Sequence, residues 1–208
     1  MLIAVAVAAL AAAVAATLAA RSGDDGGRVA EVTDVTEAGA PASAARFKGA
    51  VRPRTPVRDF ALRDQDGRRV RLAALRGKIV VLAPMYTHCR DSCPLVAQQI
   101  RVALDNLPRA DRRNVVALAL SVDPTHDTPR SAQKFLATQH VRPYLDLLLG
   151  APSRPRLIWR AYGFAPQGQR TEHNSYVVLI DRHGRQRVGF ALGFLTPEAL
   201  EHDLRALL

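Results

Sequence analysis

Two cysteines, the only ones in the 208-residue chain, lie three residues apart in Tyr86-Thr87-His88-Cys89-Arg90-Asp91-Ser92-Cys93-Pro94. Thiols at this interval can meet across a single turn, where they can close a disulfide, exchange with one, or share a soft metal ion. A structural disulfide is the plainest use. Its ring would enclose about five residues and restrain the unfolded chain by only ~2 kcal/mol. A domain of this size has core enough to fold without such a staple. The flanking sequence points to chemistry instead. An apolar run, Lys78 to Tyr86, leads in, and a helical pattern opening at Pro94 leads out. Sulfurs at a helix amino terminus face unpaired backbone N–H groups, whose partial positive charge favours thiolate over thiol. Strand-to-helix junctions at the carboxyl edge of a sheet are also where α/β folds place their sites. Cys89 and Cys93 are therefore read as a redox-active, functional pair.

The spacing narrows the chemistry. Cys-x-x-x-Cys is not the Cys-x-x-Cys of common dithiol oxidoreductases, and no Thr-x-x-Cys suggests a peroxidatic thiol. The wider interval leaves room for one ion between the sulfurs. Thiolates select Cu(I), and an added imidazole makes a site that also holds Cu(II). The chain offers six histidines. His202 on the terminal helix, His183 in a hairpin turn, His140 after a helix end and His126 in the loop Asp123-Pro-Thr-His-Asp127 are read as solvent-facing. His88 adjoins Cys89, and neighbouring side chains seldom converge on one point, though an imidazole there can tune the thiolate. His173 ends the loop Arg170-Thr171-Glu172 just ahead of a core strand, from which the sheet itself can hold it near the cysteines. Position alone leaves its role open. Asp123 and Asp127 are read as loop and helix-cap residues, because carboxylates suit harder cations.

The elements that must position these residues follow from pattern. Phe60 to Asp64 and Val70 to Leu72 predict a hairpin around Asp66-Gly67. Lys78 to Tyr86, Asn114 to Val122 and Tyr176 to Asp181 are continuous apolar runs, as expected of strands buried on both faces. Val96, Ile100, Ala103, Leu104 and Leu107 recur at helical spacing after Pro94, and Thr128-Pro129 caps a second helix running to about Gln139. Arg156 to Tyr162 reads as helix. His183-Gly184 turns into a strand from Arg187 to Phe190, and Thr196-Pro197-Glu198 caps a closing helix. This order predicts an α/β, thioredoxin-like fold with a central mixed sheet flanked by helices.

Three segments are expected. Residues 1–20 contain eleven alanines and no polar residue except Thr17. As a helix they span roughly 30 Å, close to a bilayer's hydrocarbon thickness. They read as a signal peptide or membrane anchor, and the length favours the anchor, so the rest of the chain is expected to be exported. Residues 21–57, rich in Gly, Ala, Pro and Asp, read as a flexible linker. Residues 58–208 make the folded domain. Composition excludes a disulfide-rich scaffold and a polytopic membrane protein. The formal charge is +10, yet 26 of 29 basic residues are Arg, dispersed among acids from Arg21 to Arg205. A nucleic-acid footprint would be clustered, so no nucleic-acid partner is expected.

Three spaced motifs resemble one family. Tyr86-Thr-His-Cys89-x-Asp91-x-Cys93-Pro94 resembles the signature of the Sco/SenC proteins, thioredoxin-fold copper chaperones of cytochrome c oxidase assembly. Ser121-Val-Asp123-Pro-x-x-Asp127-Thr-Pro129 resembles the family's second block, and Glu172-His173 followed by Leu179-Ile-Asp181 its third. The resemblance covers residues 58–208. It implies that Cys89, Cys93 and His173 ligate copper, as Cu(I) or Cu(II). It also implies a cytochrome c oxidase copper-bearing subunit as recipient, with other copper chaperones or thiol reductants as further partners. With residues 1–20 as anchor, the exported domain is expected at the extracytoplasmic face of the cytoplasmic membrane. Two rivals use the same cysteines: a thiol–disulfide reductase that keeps oxidase cysteines reduced and does not need His173, and a copper or redox sensor. Arg90 stands where the family usually has Pro, and Glu172 where it has Asp; neither removes a ligand.

Overall fold

The computed structural model describes residues 46–54, 56–150, 155–164 and 176–208. In chain order these form β1 (Ala50–Val51), β2 (Ala61–Arg63), β3 (Arg69–Arg71), a 3-10 turn (Leu72–Leu75), β4 (Ile79–Met85), α1 (Ser92–Asn106), α2 (Arg109–Arg112) and β5 (Val115–Ser121). Then follow α3 (Pro129–Thr138), β6 (Leu145–Leu148), α4 (Pro155–Tyr162), β7 (Tyr176–Ile180), β8 (Gln186–Ala191), a second 3-10 turn (Leu192–Phe194) and α5 (Pro197–Leu207). Six strands make one sheet in the order β1-β8-β7-β4-β5-β6, parallel among β4, β5 and β6 and antiparallel elsewhere. β2 and β3 form the separate hairpin expected around Gly67. The mixed sheet flanked by helices is the expected thioredoxin-like architecture.

The unbroken apolar runs are explained by burial on both sheet faces. Side chains alternate along a strand, so Ile79, Val81, Ala83 and Met85 of β4 enter one apolar cluster and Val80 and Leu82 the other. The first cluster lies under α1, whose Cys93, Val96, Ala97, Ile100, Ala103 and Leu104 are its buried stripe, and under α5 through Leu200 and Leu204. The second holds Phe60 and Leu62 of the hairpin region and Ile158, Trp159 and Tyr162 of α4.

The ends of β4 and β5 matter most for the site. Pairing between them runs in register from Ile79↔Val115 to Met85↔Ser121, so the two strands finish side by side. On its other side, β4 pairs with β7 from Val80↔Ile180 to Leu82↔Val178. Pro84 has no N–H to give a ladder. The chain beyond Met85 is thus tied to β5.

The linker expected at 21–57 is not free along its described part. Phe47 is buried in the core, Ala50 and Val51 pair with Gly189 and Val188, and Pro56 bridges to Arg185. The physical reason is Asp203 on α5, fully buried, whose two oxygens accept from Lys48 N at 2.7 Å and Gly49 N at 2.9 Å. The packed domain therefore begins before Arg58. β6 was also not anticipated. Among the described residues no helix is long and apolar enough to cross a membrane; residues 1–20 and His173 lie outside them.

Candidate metal centre

The cysteine loop leaves β4 after Met85 and enters α1 at Ser92, with one turn closed by Cys89 N donating to Tyr86 O at 3.3 Å. Both cysteines are buried and both are free thiols. Asp91 occupies the cap position of α1, but its side chain makes no cap bond. The sulfur of Cys89 does so instead, accepting from Cys93 N at 3.2 Å, with Ser92 Oγ 3.6 Å away. The expected effect of the helix terminus thus acts on one sulfur through a specific bond.

The two thiols differ sharply. A hydrogen bond from the Cys93 thiol, aided by backbone N–H groups and the Ser92 hydroxyl, holds Cys89 well below the ordinary thiol range despite burial. Cys93 is pushed the other way, by giving that hydrogen bond and by burial beside the Cys89 charge. The two shifts run in opposite directions, so Cys89 gives up its proton far more readily than Cys93. Arg90, next along the chain, is exposed to solvent.

Asp127 holds this loop in place. Its buried carboxylate accepts from Thr87 N at 2.8 Å and Thr87 Oγ1 at 2.7 Å through one oxygen, and from Ser121 Oγ at 2.5 Å through the other. Thr87 Oγ1 also reaches Ser131 Oγ at 3.1 Å. Val122 N donates to Met85 O at 2.9 Å, and Trp159 Nε1 donates to Ser121 O at 3.0 Å. Asp127 was expected to cap a helix. The cap of α3 is Thr128, in a reciprocal box with Ser131, which leaves Asp127 to latch the cysteine loop to the end of β5. The signal for this lay in the parallel register: strands ending together at Met85 and Ser121 bring Thr87 beside the loop after β5.

The remaining expected residues divide. His140, His183 and His202 are exposed, as read. His88 and His126 are exposed too, but both meet Asp123: His88 Nε2 lies 3.2 Å from one carboxylate oxygen and His126 Nδ1 2.9 Å from the other. Asp123 is thus more than a loop residue.

Fold and site together define a thioredoxin-like domain with a free, asymmetric dithiol where a central strand passes into a helix. The chain belongs to the SCO1/SenC family, whose model matches residues 45–208. It is 31% identical over 119 residues to "Protein SCO1 homolog 1, mitochondrial" of Arabidopsis thaliana, covering 57% of this chain and 35% of that protein. The chain thus spans about a third of the length of that curated relative. The structure of Bradyrhizobium japonicum ScoI with copper bound superposes with a TM-score of 0.62 at 31% identity, over 74% of this chain and 100% of that one. BsSco, described as a member of the Sco family of cytochrome c oxidase assembly proteins, superposes with a TM-score of 0.63 over 73% of this chain and 92% of its own. At 23% identity that match speaks for the fold alone.

Proposed function

We propose that this protein is a copper metallochaperone, binding one copper ion through Cys89, Cys93 and His173 and delivering it to the copper-bearing subunit of cytochrome c oxidase during assembly. The observation that carries this reading is the pair of free thiols at the mouth of α1, with the Cys89 sulfur accepting from a helix-terminal N–H, in a family that includes a copper-bound ScoI. Soft sulfur donors suit Cu(I), and an imidazole extends the site to Cu(II). His173 is supported by chain arithmetic. It precedes Tyr176 by three residues, which span at most about 11 Å. Tyr176 in turn begins β7 on the side of the sheet toward which β4 runs into the cysteine loop.

Copper displaces whatever thiol proton remains, since both sulfurs must be thiolates to ligate. Two thiolates and Cu(I) carry one net negative charge, which the helix terminus stabilises and Arg90, adjoining Cys89 in sequence, helps to offset. Exchange of these ligands for cysteines of the recipient moves the ion without releasing it. Copper arrives from another chaperone, and a thiol reductant keeps the pair open. The work takes place on the extracytoplasmic face of the cytoplasmic membrane, with residues 1–20 as signal or anchor.

A second reading is supported by the asymmetry of the thiols. A thiolate at Cys89 with a resolving thiol at Cys93 is the arrangement of a thiol–disulfide reductase, which would keep oxidase cysteines reduced. Oxidase assembly in cells carrying single variants separates the readings. The chaperone predicts that Cys89→Ser, Cys93→Ser and His173→Ala all fail. Assembly that survives His173→Ala while failing in either cysteine variant would establish the reductase. Assembly that survives all three, with an altered copper or redox response, would establish the sensor.

A further inference from the structure

We propose that His88, Asp123 and His126 form a second metal site, distinct from the dithiol, for a divalent first-row cation with Cu(II) foremost. The three come from two loops, His88 from the one after β4 and Asp123 and His126 from the one after β5. One carboxylate oxygen of Asp123 lies 3.2 Å from His88 Nε2. The other lies 2.9 Å from His126 Nδ1, which is also 3.0 Å from the first. All three potential ligand atoms fall within 4.8 Å of one another. Metal–nitrogen and metal–oxygen bonds of about 2.0–2.1 Å separate neighbouring donors by roughly 3–4 Å, so an ion fits with sub-ångström adjustment.

Burial and exposure are divided as a binding site requires. The Asp123 side chain is only 12% exposed, so its position is fixed, whereas those of His88 and His126 are 53% and 68% exposed and leave the outer coordination positions open to solvent. The rings meet edge-on at 5.5 Å between centroids, and Tyr86 backs His88 at 4.9 Å. The Asp127 latch orders the cluster, because it joins Thr87, the neighbour of His88, to the residue following His126. A single imidazole would account for a hydrogen bond to Asp123. Two imidazoles from separate loops on the same carboxylate give the N₂O donor set of a type that takes borderline cations. Neutral imidazole with carboxylate favours Cu(II) over Zn(II) by the usual divalent order, and without sulfur it does not select Cu(I).

The site stands independently of the thiolate reading, and its test removes the thiols. The full chain carrying Cys89→Ser and Cys93→Ser is titrated with CuCl2 by equilibrium dialysis and electron paramagnetic resonance. One equivalent of Cu(II) should bind with nitrogen and oxygen donors and no sulfur-to-copper absorption. Outer-shell partners of metal ligands alone are worth roughly 10–100-fold, so adding His126→Ala or Asp123→Asn should weaken binding by at least about tenfold. A second measurement avoids the buried cysteines: the solvent-exposed His126→Ala in the otherwise unchanged chain should lower its Cu(II) count by one. A folded double-cysteine variant that takes up no Cu(II) would overturn the proposal. So would binding, or a copper count, indifferent to His126→Ala.

Discussion

Replacing Asp127 with alanine strands the groups it satisfies. Thr87 Oγ1 keeps Ser131 Oγ, but Thr87 N–H and the buried Ser121 hydroxyl lose their acceptor. Each unpaired buried group costs ~1–3 kcal/mol; with some relief by water at half-buried Thr87, the loss comes to about 2–4 kcal/mol. At roughly 2–4 °C per kcal/mol for a domain of this size, Tm should fall by about 5–15 °C. Asp127→Asn provides the control. Its amide oxygen can still accept from Thr87, and the Ser121 hydroxyl can turn to accept from the amide nitrogen, so the cost should be ~1 kcal/mol. Thermal unfolding of the metal-free, reduced protein measures both values, and hydrogen exchange at Thr87 to Cys89 measures loop order. Asp127→Ala should raise exchange there and weaken copper binding, and Asp127→Asn should do little of either. A Tm loss under about 2 °C for alanine, or equal damage from both variants, would refute the latch.

Further predictions concern the thiols and the amino-terminal clamp. Alkylation of the metal-free, reduced protein should occur first at Cys89, with a rate still substantial well below pH ~8.5, the midpoint of an unperturbed thiol; mass spectrometry of the modified peptide reads this. The sign follows from the lowered Cys89 value: the reactive thiolate is lost only as pH falls through that depressed value, and a midpoint near 8.5 would contradict it. At Gly49 an added Cβ would lie 2.5 Å from Val188 Cγ1 and 2.9 Å from Phe190 Cζ. Gly49→Ala should therefore cost ~1–3 kcal/mol in equilibrium unfolding, and a neutral effect would show that β1 is not seated there. Asp203→Ala should speed amide exchange at Lys48 and Gly49 specifically, since those two N–H groups lose their acceptor.

Much of the fold was legible because burial on both sheet faces leaves a plain mark. β4, β5 and β7 read directly as unbroken apolar runs, and the Thr-Pro starts of α3 and α5 were visible as caps. Four-residue β6 was not legible, because Leu-Asp-Leu-Leu carries no periodicity that separates strand from helix. β1 was hidden for another reason. Two residues in a Gly-, Ala- and Pro-rich stretch become a strand through pairing with β8 and through the Asp203 clamp on the preceding Lys48 and Gly49, contacts far away in sequence. The cysteine pair stood out by residue type and spacing, but its asymmetry arises from hydrogen bonds that no pattern encodes. Asp127 could not be distinguished from a cap without the β4–β5 register, and the convergence of His88 and His126 on Asp123 depends on the same register. His173 was singled out by its place before β7 and by family resemblance, and it lies outside the described residues.

The proposed function requires two sulfurs and one imidazole to hold a single copper ion. Anaerobic Cu(I) titration of the full chain against a competing chelator, repeated on Cys89→Ser, Cys93→Ser and His173→Ala, tests it most directly. The unchanged protein should bind one tight equivalent, and each variant should lose that stoichiometric site. Copper bound by His173→Ala with unchanged affinity and stoichiometry, or a tight equivalent retained by either cysteine variant, would contradict it.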